Sequence, residues 1–474
     1  MTLPEYGPQE LKQAITRSRA LLPTAVDFLC ELITEVTGRA PERDCVEFAD
    51  FFWLMHICDR QIYGHLDSVA AMRVEPDPLW PSNRRLRSDF VAVVGSRRAP
   101  VRVVDPYLKT SFVREITEAF RGRRQFRWDS VSRPRGISSE ILVDRRLAYA
   151  KLHATSLDVE GELRRAIALN APLDVVEQHH ELADWARSSA DERIKVCYSA
   201  NAHQGSTGYR HHLYEQRRLK SKIVFHQHGG GNGIDILHPG EFHDTTIGDI
   251  FYSWGWTRED LGRRVRPLPP ALPAHHRDAP EPRYLLMSLP ATSHFYRFQP
   301  FLIPQHIERA ISETTSFVSS LEAGNQLRLR SSDNFTFPLK RLENVEASVT
   351  VDDLSEPGAM AASRARLVIH NYLGTTWLET LALNVPTVCF YDPRLYEPRE
   401  SVRPYFDMLA RVGVLHHSGR DAAKFVNGFR GDPSSWWNSA EVQEAREAFV
   451  ARYANFSDNW LEAWQTEFES LLAE

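Results

Sequence analysis

Hydrophobic positions along the chain change period several times, and each change predicts a different element. Over residues 9–75 the apolar side chains recur at helical spacing. Ala25, Val26, Phe28, Leu29, Leu32, Ile33 and Val36 form one stripe, and Phe51, Phe52, Leu54, Met55 and Ile57 form the next. Short continuous runs follow, which suit buried strands. They cover 90–94 and 101–104, the second closed by an Asp105-Pro106 turn, and 112–120 returns to helix. Residues 150–190 read as mostly helical. The run 194–199 is again a strand, 209–218 a helix and 223–225 a strand. A strand–helix–strand unit implies parallel neighbours joined by a crossover. Both strand ends then open on one sheet edge, which would carry His203, Gln204, His226, Gln227 and His228.

Residues 266–282 hold six prolines and no periodicity, which reads as a linker. A second alternating series follows, with strands expected at 284–289, 326–330, 347–351, 366–370 and 386–390. Helices are expected at 304–321, 358–363 and 376–383. Such alternation predicts a doubly wound parallel sheet. Two closing helices, 441–453 and 459–472, place Phe449, Tyr453, Trp460 and Trp464 on apolar faces. The expected organisation is therefore α/β. Residues 1–265 form a first domain, helical over 1–85 and α/β over 86–265. The linker 266–282 leads to a second domain at 283–430, and the helices of 431–474 are expected to pack back across both. Two Rossmann-like domains with parallel sheets facing a cleft correspond by analogy to the GT-B plan of nucleotide-sugar transferases.

Composition narrows the function. The chain has 474 residues, 42% hydrophobic and 25% charged, with a net charge of −5. That is ordinary globular material and gives nucleic-acid binding no support. The 57 Lys and Arg are dispersed, with local excesses at 84–87 and 121–127. Those clusters suit solvated faces or attraction to an anionic glycolipid surface. Five scattered cysteines (Cys30, Cys45, Cys58, Cys197, Cys389) have no metal-like spacing and suggest reduced thiols. No signal peptide is visible, and no run approaches the roughly 18 apolar residues of a spanning helix. The expectation is a cytoplasmic protein, at most peripheral to a membrane.

Two stretches carry candidate chemistry. In the first, His226, Gln227 and His228 precede Gly229, Gly230, Gly231 and Gly233, with Asp235, Glu241, Asp249, Trp254 and Trp256 downstream. Dense glycines at a strand end permit close approach of a ligand. The second is Asn371-Tyr372-Leu373-Gly374-Thr375-Thr376-Trp377-Leu378-Glu379. Free amides and hydroxyls at a helix start suit phosphate oxygens, and a carboxylate one turn on suits ribose hydroxyls. The competing structural reading is a Thr376-x-x-Glu379 capping box. Arg328, Arg330 or His370 would add positive charge. For an inverting reaction His228 or Glu241 could act as base. For a retaining one Glu241 ranks first as nucleophile, then Asp235 and Asp249, with His226 and His203 as alternates. Gln227 and Gly229 to Gly231 would line the acceptor side. Trp254 and Trp256 fit core better than a sugar platform. His226, His228, Glu241 and His243 lie close in sequence, but their spacing matches no metal motif, so no metal or cofactor is expected.

Together, QHGG-x-x-G with the later Trp-Gly-Trp, and GTT-x-L-E-x-L-A-x-N-x-P-T, resemble a group of bacterial surface-polysaccharide transferases found with O-antigen and related glycan genes. The resemblance covers roughly 190–460. More distantly, the plan is similar to retaining β-Kdo transferases, although their motifs do not stand out in this chain. The resemblance implies transfer from a nucleotide sugar, with CMP-Kdo or a related CMP-ulosonic acid as first choice. The acceptor would be a glycan or glycolipid of O-antigen, capsule or lipopolysaccharide, built beside other glycan-assembly enzymes. A UDP-sugar transferase or epimerase, and a non-catalytic binding protein of the same shape, are the alternatives.

Overall fold

The computed structural model describes residues 8–66, 99–105, 126–129, 140–152, 158–273, 275, 281–288, 304–322, 326–331, 349–393 and 396–474. The expected strand at 90–94, the helix at 112–120 and the basic cluster at 84–87 lie outside them. The chain divides into two compact units. The N-terminal unit holds 6–228, 239–251 and 469–474, and the C-terminal unit holds 1–5, 229–238 and 252–468. This partition cuts the chain at different places from the sequence-based one. The glycine loop 229–238 belongs to the C-terminal unit, while the strand before it and the helix after it belong to the N-terminal unit.

The N-terminal unit opens with four helices, Pro8–Ala20, Leu22–Thr37, Arg43–Ala49 and Phe51–Leu66. The predicted stripe is the buried one, because Leu29, Leu32, Ile33 and Val36 are fully enclosed. Gly38, at φ 78°, ends the second helix in the left-handed region that glycine adopts without strain. Arg19 and Ser18 of the first helix both bond the buried Asp59 of the fourth.

The first sheet consists of β1 (Val101–Val104), β2 (Phe126–Asp129), β3 (Val196–Ser199), β4 (Lys222–His226), β5 (Ile250–Ser253) and β6 (Val265–Pro267). Their order is β2-β1-β3-β4-β5-β6, and β1, β2, β3 and β4 pair in parallel. The helix Thr207–Arg218 crosses from β3 to β4, as the apolar runs require. The ends of β3 and β4 therefore share an edge.

The C-terminal unit carries β7 (Glu281–Met287), β8 (Leu327–Arg330), β9 (Val349–Val351), β10 (Ala365–His370), β11 (Thr387–Phe390) and β12 (Leu415–His416). Every pairing is parallel, in the order β9-β8-β7-β10-β11-β12. Numbered from its own first strand, this is 3-2-1-4-5-6, the doubly wound order that reverses direction between β7 and β10. The second half of β7, Tyr284–Met287, is an apolar run because both of its faces are covered. Tyr284 and Leu286 pack with Phe317 and Val388, whereas Leu285 and Met287 pack with Ala361 and Ala362. The two parallel-sheet α/β bodies expected of a GT-B-like chain are both present.

The proline-rich segment is packed through its described part. Trp464 Nε1 donates to the Pro269 carbonyl, Ser457 N donates to the Pro270 carbonyl, and Leu268 is buried. Phe449, Tyr453, Trp460 and Trp464 are buried as their spacing implies, and Trp254 and Trp256 are core. All five cysteines are free.

Candidate active site

In an open parallel sheet, ligands bind beyond the carboxyl ends of the strands where the order reverses. In the C-terminal unit that point lies beyond Met287 of β7 and His370 of β10. Ser288 and Asn371 follow those strands and meet each other there. Asn371 Nδ2 donates to Thr314 Oγ1 at 2.8 Å and lies 3.5 Å from Ser288 Oγ. Gly374 is the N-cap of the helix Thr375–Ala382, with no side-chain cap. The capping-box alternative fails on this register. Thr376 is the second helical residue and Glu379 the fifth, so Glu379 cannot reach back to a Thr376 cap. Thr376 instead hydrogen-bonds the Tyr372 phenol, which burial and then the Glu379 carboxylate push up to about 12. Gly374 offers no side chain to cap the helix N-terminal amides at the switch point, and Glu379 is half-buried one turn on.

The glycine loop belongs to this same unit. Gly230 N donates to Thr375 Oγ1 at 2.9 Å. A Cβ on Gly230 would lie 2.7 Å from the Gly374 carbonyl carbon and 2.9 Å from Thr375 N. Gly231 and Gly233, at φ 87° and 73°, turn the chain back, and a Cβ on Gly233 would strike the Trp256 indole at 2.5 Å. Sequence reasoning reserved these glycines for the approach of a sugar. The close approach observed is of one backbone to another, and it sets Gly229 and Gly230 against the start of the 375–382 helix.

The three cationic candidates are paired with a carboxylate or carry no charge. Arg330 Nη1 lies 2.7 Å from Asp352 Oδ1, and Arg328 Nε lies 3.0 Å from Asp352 Oδ2, so one buried carboxylate holds both. His370 is fully enclosed, with Nε2 3.1 Å from Thr380 Oγ1, and burial drives its pKa down to about 3. A neutral imidazole bonded to the far side of the helix adds no positive charge to an anion.

The carboxyl edge of the first sheet assembles a second cluster. The Ser199 hydroxyl accepts from Ala202 N and sets the turn that carries His203. His203 stacks on Phe225, with ring centroids 4.0 Å apart, and on His243 at 5.5 Å. His203 Nε2 and His243 Nδ1 both close on Asp244 Oδ1, at 2.8 and 2.7 Å, and Gln204 adds a side-chain bond to Asp244. Burial dominates the protonation of all three. It lowers His203 to about 3 and His243 to about 4, and raises Asp244 to about 6 with a smaller push from Glu241. Three ligand-type atoms of this trio lie within 4.8 Å of one another. The imidazole nitrogens facing the carboxylate are at hydrogen-bond length from a single oxygen.

Glu241 is fully buried in the first turn of the helix Pro239–Ile247, one turn before Asp244. His226 bonds the Tyr198 hydroxyl at 2.7 Å and Gln227 is buried, whereas His228 is half-exposed. Asp249 serves β4, since its Oδ2 accepts from Ile223 N at 2.8 Å. Asp235 is in the glycine loop of the C-terminal unit, where its backbone carbonyl accepts from Arg399 Nε. The predicted carboxylates are therefore not one group, because Glu241 joins Asp244 while Asp235 and Asp249 have separate places. Asp244 was missed. Its signal was the three-residue spacing from Glu241, which puts both on one helix face once a helix is assigned there.

Known proteins add the following. The model for the LIC12162 family transferase matches residues 102–468. The probable alpha-galactosidase G of Emericella nidulans is 25% identical over 208 residues, 43% of this chain and 25% of that protein, so the chain spans about a quarter of that relative's length. Among solved structures, the spinosyn forosaminyltransferase SpnP matches at 12% identity over 79% of this chain and 100% of its own, with a TM-score of 0.39. The Methanocaldococcus jannaschii UDP-GlcNAc 2-epimerase, in complex with UDP-GlcNAc and UDP, matches at 8% over 73% and 97%, also with a TM-score of 0.39. No helix of the described residues is long and apolar enough to cross a membrane.

Proposed function

The chain belongs to the LIC12162 family of transferases, and we propose that the group it transfers is a sugar from a nucleotide-activated donor. The observation that carries this reading is the start of the 375–382 helix. It has no side-chain cap, lies at the strand-order switch point of a 3-2-1-4-5-6 sheet, and has a glycine loop against it. Its amides and the helix dipole suit donor phosphate, where negative charge grows as the glycosidic C–O bond breaks. Thr376 and Gly374 would contact phosphate and Glu379 the ribose. Arg328, Arg330 and His370 are left as supports of the fold around it.

For the chemical step we assign His228 as the base that takes the acceptor hydroxyl proton, because it is the accessible histidine at the end of β4. The acceptor oxygen then bonds the anomeric carbon, and the nucleotide leaves with the former C–O pair. Glu241, enclosed beside Asp244, is the nucleophile if the reaction instead proceeds through a glycosyl-enzyme. The anomeric configuration of the product separates these routes. From the resemblance, a CMP-activated ulosonic acid such as CMP-Kdo is the first donor to try. The proposed acceptor is a surface glycan or glycolipid of O-antigen, capsule or lipopolysaccharide, used in the cytoplasm or at a membrane face, with no metal required. The test is incubation of the full chain with CMP-Kdo and UDP-GlcNAc, with and without acceptor lipid extract, following nucleotide release and product mass. Acceptor-dependent release that falls at least 100-fold in His228→Ala or Glu241→Gln supports transfer. An epimer formed without acceptor would replace this reading with an epimerase, and wild-type turnover in both variants would overturn the catalytic assignment.

A further inference from the structure

Away from this chemistry, three helices of the N-terminal unit bring Asp50, His179 and His211 together in its interior. Asp50 separates the helices Arg43–Ala49 and Phe51–Leu66, His179 opens the helix His179–Ser189, and His211 lies within Thr207–Arg218. All three are at most 1% exposed. Each offers a ligand atom within 4.8 Å of the others, and His179 Nδ1 is 3.7 Å from Asp50 Oδ2. Among the described residues, both carboxylate oxygens of Asp50, Nδ1 of His179 and Nε2 of His211 have no hydrogen-bond partner. A buried carboxylate normally collects donors, and an Asp placed just before a helix normally caps it. Asp50 does neither.

The surroundings do not supply the missing partner. Arg210 is the positive charge that acts on Asp50, and Asp174 the negative one. Yet Arg210 spends its N–H groups on the carbonyls of Ala49 and His203 and on Thr207 Oγ1. Behind His211, Cys45 Sγ is 3.4 Å from Nδ1 and fixes the ring, leaving Nε2 toward the cluster. The edge of the His179 ring meets His211, with centroids 4.9 Å apart. Left without a cation, burial pushes the Asp50 carboxyl up and both imidazoles down, and four unpaired polar atoms would be left close together in the interior.

We propose that Asp50, His179 and His211 bind one divalent first-row metal ion, and that this ion clamps the N-terminal helices to the helices flanking β3 and β4. Two imidazole nitrogens and a carboxylate are a donor set for Zn2+ or its neighbours, and a second group holding the far nitrogen of a ligand histidine is the usual support of such a site. The enclosed position suits a structural ion.

Zn2+ is the probe. The full chain is stripped with EDTA, reloaded, desalted and assayed for zinc by mass spectrometry, in parallel with melting curves. The expected result is about one zinc per chain, a melting temperature several degrees above the stripped protein, and an at least tenfold loss of affinity in Asp50→Asn. If Asp50→Asn does not fold, Co2+ loaded into the wild-type chain provides the second reading. The visible absorption of a low-coordinate nitrogen and oxygen site, bleached by Zn2+, supports the proposal. No zinc retained by the wild-type chain, zinc retained equally by folded Asp50→Asn, or no such Co2+ band would overturn it.

Discussion

Gly230→Ala is the sharpest probe of the contact that places the glycine loop. The added methyl would sit 2.7 Å from the Gly374 carbonyl carbon, 2.9 Å from Thr375 N and 3.0 Å from the Gly374 oxygen. All three are backbone atoms, at a helix start held by buried Trp377 and Leu378, so no side chain can swing aside. Overpacking of this kind costs about 1–3 kcal/mol. Displacing the loop also lengthens the Gly230 N to Thr375 Oγ1 bond, worth about 1 kcal/mol more. The sum, roughly 2–4 kcal/mol, lowers the melting temperature by about 5–12 °C for a unit of this size. Gly229→Ala is the control, because its methyl meets only Thr375 Oγ1, at 3.3 Å, and should cost under about 1 kcal/mol. Thermal unfolding by circular dichroism reads both. Equal melting temperatures for the two variants would refute the docked loop.

Further outcomes follow from the buried groups. His203 and His370, near 3, and His212 and His243, near 4, stay neutral in the fold while the unfolded chain takes up protons below about pH 6.5. Their stability is present above that pH and lost as it falls. Asp244, near 6, acts in the opposite sense, because the fold holds its proton below pH 6 and the unfolded chain does not. Counted alone, these four histidines and one aspartate leave about three protons of difference, or roughly 4 kcal/mol per pH unit near pH 5. Melting temperatures should therefore drop steeply from pH 7 to 5 and less steeply in His370→Gln, and a flat profile contradicts the burial. Asp249→Ala removes the acceptor of Ile223 N and should cost about 1 kcal/mol while leaving kcat within twofold. A hundredfold loss of kcat would restore Asp249 to the chemistry.

Legibility differed between elements for physical reasons. The strands β7, β10 and β11 were readable because both sheet faces are covered, which leaves apolar runs that end abruptly. β12 is two residues long and has no run to read, and β2, Phe-Arg-Trp-Asp, mixes charge with aromatics. The prolines of 266–282 suggested a free linker because their partners, Ser457 and Trp464, come far later in the chain. The switch-point segment was found through Gly374, Thr375 and Thr376. The partner of Arg328 and Arg330 was not legible, because Asp352, which holds both, lies on the loop after another strand. The glycine loop was expected to admit a sugar, and the neighbour Gly230 meets in the fold is the Gly374–Thr375 backbone. Asp50, His179 and His211 have no spacing that a sequence could reveal. Only three helices brought together by folding make them neighbours.

The start of the 375–382 helix is proposed to hold the phosphate of a nucleotide sugar. The direct measurement is calorimetric titration of CMP, CDP, UDP, GDP and dTDP into the full chain, repeated with Thr376→Val and Glu379→Gln. The prediction is that one nucleotide binds clearly ahead of the rest. Each variant should weaken it by about tenfold, as expected for one lost hydrogen bond to a charged or ribose oxygen. A chain that binds none of the five, or binds one with an affinity neither substitution changes, does not hold a nucleotide at this helix start.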